Sequence, residues 1–270
     1  MPIKIMILRT LVLAAALSVS FTSLAQDKKT YIAFNYIKAK PGKAGAYTEL
    51  VKKYSTKILE VAVKSGAFQG WYFYELRLPV GSANEYDWVA VSVVNDFKYL
   101  FEEPGTYHDI MRKQFPGITD KELDDIAQQF EDSRISVKRE ILVLTSQLSP
   151  GAAPSKYARV DYNMTVEGKE KDYVKAETEA LAPIHKDIIA SGAYKDWQLL
   201  KRIMPNDQKA DYNYIAIDFI DNISNFVSLD YNAIGKKLSP DFDPAKFWPP
   251  LVSSRKTSRS EVWQLVTFVK

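Results

Sequence analysis

The chain has no cysteine and only two histidines among its 270 residues. The lack of cysteine excludes disulfides, thiol nucleophiles, CxxC redox pairs, iron–sulfur clusters and thiolate zinc sites. With so few histidines, a histidine-rich metal site is not expected either. The GxSxG, HExxH, P-loop and GxGxxG motifs are also absent, which removes the hydrolases, zinc proteases and nucleotide-binding proteins that these motifs identify.

The chain also has little excess charge of either sign. The 36 Lys and Arg residues nearly balance 33 Asp and Glu residues, and the net charge is only +3. No basic stripe interleaved with aromatic residues is present, so we expect no nucleic-acid partner. Beyond the first residues no apolar run approaches the length of a membrane span, so we expect no membrane association once that segment is removed.

The N-terminal residues have the three parts of a secretory signal. Lys4 and Arg9 form a basic start, residues 11–19 are apolar, and Ser23 and Ala25 are small residues before a cut at Gln26. The apolar run is too short to cross about 30 Å of hydrocarbon, which takes about 20 residues. The sequence therefore predicts a signal peptide over residues 1–25 and an exported protein, periplasmic or extracellular.

An internal repeat organises the rest of the chain. At an offset of 126 residues, residues 31–96 align without a gap on residues 157–222, with 13 identities in 66 positions. The identities include a Gly-Lys pair, a Ser-Gly-Ala triplet, and the pairs Trp71/Trp197, Tyr36/Tyr162 and Tyr47/Tyr173. Such a repeat predicts two copies of one structural unit, which we place at residues 30–148 and 157–270, joined by a Pro- and Gly-containing linker at residues 149–156.

Each copy has the pattern β-α-β-β-α-β. Alternating strand-like residues cover 31–39, 68–78, 86–94 and 135–147 in the first copy, and 157–166, 194–204, 212–220 and 261–269 in the second. Thr119 and Glu122 predict a capping box at the start of a helix that ends near residue 131. The Pro-rich segment 239–251 is expected to be irregular. The fold class is therefore α+β, with two ferredoxin-like units fused in one chain.

Both faces of the predicted strands are largely apolar, which is typical of a sheet buried on two sides. With the repeated Gly-Lys, Ser-Gly-Ala and Trp frame, the chain resembles the dimeric α/β-barrel superfamily over residues 30–270. That superfamily includes antibiotic-biosynthesis-type monooxygenases, chlorite dismutase-like proteins, haem-degrading relatives, and NIPSNAP- and EthD-like proteins. The resemblance implies that the two sheets pack face to face as an intramolecular dimeric α/β barrel. The superfamily is functionally mixed, so it does not select an activity.

Differences between the copies are the best indication of a site, because shared residues are explained by folding. His185 replaces Leu59 on an apolar helix face, two residues after Pro183, which is expected to kink the helix. His185 is either a general base, an axial haem ligand or a buried structural histidine. We name His185 and Asn163 as candidate catalytic residues.

Candidate ligand-binding residues come from the same copy. Arg159 and Asp161 replace Ala33 and Asn35, and Lys201 replaces Glu75. These charges form either an ion-pair network inside the barrel or a pocket for an anion or carbonyl. Either core packing or an aromatic-lined pocket explains the remaining candidates: Tyr162, Tyr173 and Trp197.

Three functions fit these residues. The first is binding of a small apolar or aromatic molecule, with a closed cavity near His185 and Tyr162 and no cofactor. The second is a cofactor-independent monooxygenase that uses His185 and Asn163, and the third is haem binding through His185. The sequence favours the first, with a small-molecule ligand as the partner. It leaves open whether the protein is an enzyme and whether it forms a homo-oligomer.

Overall fold

The computed structural model describes residues 29–79, 84–102, 105–206 and 210–270. The predicted signal peptide lies outside the described residues. No helix within these ranges is long and apolar enough to span a bilayer. Eight strands follow the predicted order: β1 (Tyr31–Ala39), β2 (Gly70–Leu78), β3 (Trp88–Val94), β4 (Arg134–Gln147), β5 (Tyr157–Thr165), β6 (Asp196–Met204), β7 (Tyr214–Ile220) and β8 (Arg255–Val269).

Helices lie between the strands of both copies. In the first copy they are α1 (Ala44–Leu50), α2 (Thr56–Lys64), α3 (Tyr107–Gln114) and α4 (Asp120–Ser133). In the second copy they are α5 (Glu170–Lys175), α6 (Ala182–Ala190), α7 (Asn225–Ser228), α8 (Tyr231–Leu238) and α9 (Pro244–Ser254). The capping box of Thr119 and Glu122 is present at the start of α4, as the sequence predicts.

The strands form a closed antiparallel barrel in the order β1-β3-β2-β8-β5-β7-β6-β4. Each copy contributes a four-stranded sheet, and the pairings of β2 with β8 and of β4 with β6 join the two sheets. The second half of the strand order repeats the first, so a pseudo-twofold axis runs along the barrel. The two four-stranded sheets and their helices confirm the predicted fold class. Because the barrel is closed, neither sheet has a free edge.

Alternating residues divide each strand between the interior of the barrel, which we call the lumen, and an outer face covered by helices. Phe34 and Tyr36 on β1 and Val160 and Tyr162 on β5 belong to the luminal core. Trp197 on β6 belongs to the core between the outer face and the helices of the second copy. Which face a residue occupies therefore decides which candidate residues can meet.

The interpretation of residues 239–251 as irregular is wrong, because most of this segment lies in α9. Asp243 caps α9 by accepting a hydrogen bond of 3.0 Å from the Ala245 amide. Pro244 follows at the first helical position, where its missing N–H costs nothing. Leu251 is buried in the outer core, and Phe247 packs against the same core. Pro244 therefore marks the start of a helix, and packing against the outer core allows this helix to continue past Pro249.

A wider helical turn interrupts the first helix of each copy. It is a π-helix at Val51–Ser55 in the first copy and at Ala176–Leu181 in the second. Because the first copy has the same turn without a proline, Pro183 is not its cause. Pro183 instead lies in the first turn of α6, where its fixed φ is compatible with a helix.

Candidate functional site

One end of the lumen is filled by a cluster of tyrosines and carboxylates, which we call the tyrosine–glutamate plug. Both copies contribute equivalent residues: Tyr36, Tyr86 and Glu140 from the first, and Tyr162, Tyr212 and Glu261 from the second. All six are buried, and the two glutamates are each only 4% exposed. A buried carboxylate needs hydrogen-bond donors or a cation, so the plug depends on its internal contacts.

The contacts of the plug cross between the copies. Tyr86 of the first copy donates to Glu261 Oε1 at 2.6 Å, and Tyr162 and Trp263 donate to Oε2 of the same carboxylate at 3.1 and 2.8 Å. In the mirrored arrangement, Tyr212 of the second copy donates to Glu140. These contacts close this end of the barrel.

Cations complete the plug. The Arg259 guanidinium lies 3.7 Å from the centroid of the Tyr162 ring and donates to Glu261 at 3.0 Å. Arg202 lies 3.8 Å from Glu140. Burial and the nearby Glu261 carboxylate raise the pKa of Tyr86, so its hydroxyl is a proton donor throughout the neutral range.

The other end of the lumen holds a cavity of about 390 Å³, which we call the lumen cavity. Ile32, Val91, Leu144, Leu200 and Ile217 are among its apolar wall residues. Protein pockets that hold small molecules have volumes of about 300–1,000 Å³ and are also mostly apolar, so the lumen cavity lies within their range. The cavity can therefore enclose a small organic molecule.

One wall of the lumen cavity is aromatic. The rings of Tyr72 and Tyr74 on β2 stack with their centroids 6.4 Å apart. Trp263 on β8 lies 5.8 Å from Tyr74 and makes an edge contact with Phe34 at 5.4 Å. Aromatic pairs prefer these stacked and edge-to-face arrangements, so the wall is a rigid surface for another ring to contact.

The predicted linker forms the rim of the cavity. The Asp196 carboxylate accepts from the Ser149 amide at 2.7 Å and from Gln147 Nε2 at 2.6 Å. The Lys270 ammonium donates to the Ala152 carbonyl at 2.8 Å. Residues 151–155 line the mouth of the cavity, so the segment between the copies is part of the candidate site.

His185 lies outside the lumen, in the core between α6 and the sheet of the second copy. Its ring is 4% exposed and stacks on Trp197 at 5.1 Å, with Tyr194 and Tyr231 within 6.2 Å. Its Nδ1 is buried without a hydrogen-bond partner. Burial, reinforced by the Arg255 charge, lowers the pKa of His185 to about 4, so the imidazole is neutral above that pH.

The charged candidates occupy the same outer face. Arg159 pairs with Asp161 at 3.1 Å, and Arg159 lies opposite Asp218 in the pairing of β5 with β7. Burial and the neighbouring Asp161 carboxylate raise the pKa of Asp218 to about 7. The ion pair is present, but its expected place inside the barrel is wrong, because odd-numbered residues of β5 face the helices.

The remaining candidates on the outer face are held by local contacts. Asn163 donates to the Tyr173 hydroxyl at 3.2 Å and accepts from Thr257 at 2.7 Å. Lys201 pairs with Glu170 at 2.6 Å. Burial and the nearby Glu177 carboxylate raise the pKa of Tyr173. These contacts leave Asn163 with both amide atoms engaged.

The structure does not bring the sequence-predicted residues into one cavity. Tyr162 faces the lumen as part of the plug, whereas His185 lies on the opposite side of the sheet, so the expected closed cavity near both is wrong. None of the eight candidate residues lines the lumen cavity. The residues that line it and that sequence reasoning missed include Tyr72, Tyr74 and Gln198. Comparing the copies at luminal positions could have found them, because Gln198 and Leu200 replace Tyr72 and Tyr74.

The described residues show neither a metal site of three or more ligands nor space for haem at the His185 ring. No group of three or more His, Asp or Glu side chains within these ranges is arranged to hold a metal ion. An axial haem ligand needs an open side wide enough for a porphyrin. His185 is instead enclosed by Trp197, Tyr194 and Tyr231, which leaves no such space at its ring.

Comparisons with solved structures bear on the barrel as a whole. A structure described as "putative monooxygenase from Lactobacillus acidophilus NCFM" has 10% sequence identity to this chain and a TM-score of 0.54, with 90% of this chain and 96% of that chain covered. The chain has the dimeric α/β-barrel fold. At this identity the likeness shows the fold alone.

Two further dimeric α/β barrels match less closely. One is described as "Putative Chlorite dismutase TA0507" (12% identity, TM-score 0.48, 89% of this chain and 96% of that chain). The other is described as a novel heme-binding protein from Thermus thermophilus (11% identity, TM-score 0.46, 88% and 91% covered). No protein-family model matches the chain, and no curated protein matches it in sequence.

Proposed function

We propose that this protein binds a small apolar or aromatic molecule in the lumen cavity. The observation that carries the proposal is the cavity itself, about 390 Å³ in volume and lined mainly by apolar and aromatic side chains. Burial of apolar ligand surface would supply the binding free energy, at about 25 cal/mol per Å². The plug blocks one end of the barrel, so a ligand enters at the rim formed by residues 151–155.

The oxygenase alternative has less support from the geometry. It requires His185 and Asn163 to reach one substrate. Both side chains lie on the outer face, where His185 is packed among aromatic rings and Asn163 is hydrogen-bonded to Tyr173 and Thr257. Haem binding through His185 meets the same obstacle. The descriptions of the structural neighbours keep both chemistries worth an assay.

The proposed setting is outside the cytoplasm. Residues 1–25 have the basic start, apolar run and small-residue cleavage site of a secretory signal. A cysteine-free chain is suited to an oxidising compartment, because it has no thiol to oxidise or mispair. N-terminal sequencing of the secreted or periplasmic protein tests this, with Gln26 expected as the first residue and an intact Met1 contradicting it.

A dye-binding experiment with two variants tests the lumen site. A neutral naphthalene dye that fluoresces in apolar surroundings should bind the purified protein with one site per chain. Ala158→Leu adds three carbons inside the cavity and should weaken binding at least tenfold, because Ala158 is a wall residue. Ala127→Leu is the matched control on the exposed side of α4 and should change nothing.

The variants must remain folded for the comparison to count, which circular dichroism and thermal unfolding will establish. Equal dye affinity in folded Ala158→Leu and wild type would place the dye elsewhere and refute the lumen site. Native mass spectrometry of the protein purified from its own compartment is the complementary measurement, because it reports the mass of any molecule that the cavity retains.

A further inference from the structure

The lumen cavity is asymmetric although the barrel is pseudo-symmetric. Tyr72 and Tyr74 line it from β2, whereas the equivalent positions on β6 carry Gln198 and Leu200. Residues that build the barrel are shared between the copies, so this difference is not required by the fold. It gives the cavity one aromatic, hydroxyl-bearing wall on β2 and a different wall on β6, formed by Leu200 and the Gln198 amide side chain.

Gly70 makes room for the aromatic wall. A Cβ atom at this position would lie 3.0 Å from the Tyr72 hydroxyl oxygen and 3.2 Å from its ring carbon. The absence of a side chain therefore lets the Tyr72 ring lie against its own strand, with the hydroxyl directed back toward Gly70. The equivalent residue in the second copy is Asp196, so the second copy has no counterpart to this arrangement.

The two hydroxyls are available to a ligand. Neither Tyr72 nor Tyr74 makes a side-chain hydrogen bond to any other residue in the described parts of the chain. Burial raises the pKa of both groups, so both stay protonated and can donate. Neither hydroxyl oxygen is among the fully buried side-chain atoms without a partner in the described residues, so a ligand that accepts a hydrogen bond can reach both.

The charged side chains at the cavity already have partners within the protein. Among the described residues, Asp196 and Lys270 are the only charged ones that line it. The Asp196 oxygens already accept from Ser149, Gln147 and Gln198 at 2.6–3.0 Å, and Lys270 donates to Ala152. A buried ion without a partner is strongly disfavoured, so these walls select a neutral molecule.

We propose that the ligand is a neutral aromatic compound with a carbonyl-type oxygen, which accepts a hydrogen bond from the Tyr72 or Tyr74 hydroxyl. This inference rests on the proposed function and specifies its ligand class. The cavity volume of about 390 Å³ limits the ligand to a small molecule, since pockets that hold small molecules have volumes of about 300–1,000 Å³. The rings of the ligand stack on the aromatic wall, and the β6 wall with Leu200 covers the opposite face.

A pair of probes of matched size tests the hydrogen bond. Acetylnaphthalene has the proposed carbonyl, and isopropylnaphthalene has the same number of non-hydrogen atoms with a methyl group in place of the oxygen. Dissociation constants of both are measured for wild type and for the double variant Tyr72→Phe/Tyr74→Phe, which keeps both rings. The quantity compared is the ratio of the two constants, because the ratio cancels changes in packing that affect both probes equally.

We expect the double variant to bind isopropylnaphthalene like wild type and to lose about three- to tenfold in its relative affinity for acetylnaphthalene, as the loss of one neutral hydrogen bond predicts. Tyr54→Phe, outside the lumen, is the control and should leave the ratio unchanged. An unchanged ratio in the double variant, with both probes still bound, would overturn this inference alone. Failure of wild type to bind either probe would overturn the proposed function as well.

Discussion

The Tyr86 hydroxyl in the first copy donates a hydrogen bond of 2.6 Å to Oε1 of Glu261 in the last strand of the second copy. Tyr212 and Glu140 make the mirrored contact. Each copy therefore supplies a buried carboxylate that accepts a hydrogen bond from a tyrosine of the other copy. This exchange, together with the strand pairings of β2 with β8 and of β4 with β6, makes the two copies one folding unit.

Tyr86→Phe should destabilise the protein by about 1–3 kcal/mol, because it leaves a buried carboxylate with one donor fewer. The free energy of unfolding from urea denaturation measures the effect. Tyr54→Phe is the control, since Tyr54 lies outside the barrel and packs on Phe115. A loss no greater in Tyr86→Phe than in the control would show that the contact between the copies does not stabilise the fold.

The pKa values of His185 and Asp218 predict opposite dependences of stability on pH. The His185 pKa falls to about 4 on folding, so the unfolded chain binds more protons between pH 4 and 6.5 and stability rises with pH there. The Asp218 pKa rises to about 7, so the folded chain binds more protons between about pH 4 and pH 7 and stability falls as pH rises. The two contributions largely cancel in wild type.

Single substitutions should separate these contributions. His185→Leu restores the residue type of the first copy and removes the increase in stability with pH that His185 causes. The stability of this variant minus that of wild type should therefore be highest near pH 4 and lower by on the order of 3 kcal/mol at pH 6.5. Asp218→Asn should instead gain on wild type as the pH increases to 7. Parallel stability curves for both variants and wild type from pH 4 to 7.5 would contradict these assignments.

The repeat and the strand pattern predicted two ferredoxin-like units, and the resemblance to the dimeric α/β-barrel superfamily implied that their sheets form a barrel. The limits of β1 agree with the prediction, while β8 begins six residues earlier than predicted, at Arg255, because pairing with β5 extends it. The helix at Pro244–Ser254 could not be predicted from its proline content, because its packing against the second sheet depends on distant residues.

The candidate site was harder to predict, because it depends on which face of a strand each residue occupies. The copies differ at His185 and Arg159 on the outer face and also at Tyr72 and Tyr74 in the lumen. The charged differences stand out in the sequence, whereas Tyr72 and Tyr74 look like ordinary core residues. The cavity exists because of how the two sheets close, and no local pattern contains that information.

Asp196→Ala should loosen the rim of the cavity. The substitution removes the acceptor for the Ser149 amide and for Gln147, so amide hydrogen exchange at Ser149 should speed up by about tenfold or more. Asp221→Ala is the control, because Asp221 accepts from the Lys156 amide at the other end of the linker from Ser149. Unchanged exchange at Ser149 would mean that Asp196 does not hold the linker over the mouth.

Haemin should not find a ligand at His185. We expect haemin added to wild type and to His185→Leu to give the same absorption spectrum, because three aromatic rings enclose the imidazole. A Soret shift in wild type that disappears in His185→Leu would show that this core opens to admit a porphyrin. That result would favour haem binding over the proposed function.

The central claim is that ligand binds inside the barrel and not against His185. A methyl NMR titration with acetylnaphthalene tests it directly, because isoleucine and valine methyl groups lie on both sides of the sheet. We predict saturable shifts at Val91 and Ile217 in the lumen cavity, with Ile184 and Ile188 beside His185 unchanged. Shifts confined to Ile184 and Ile188 would contradict the account.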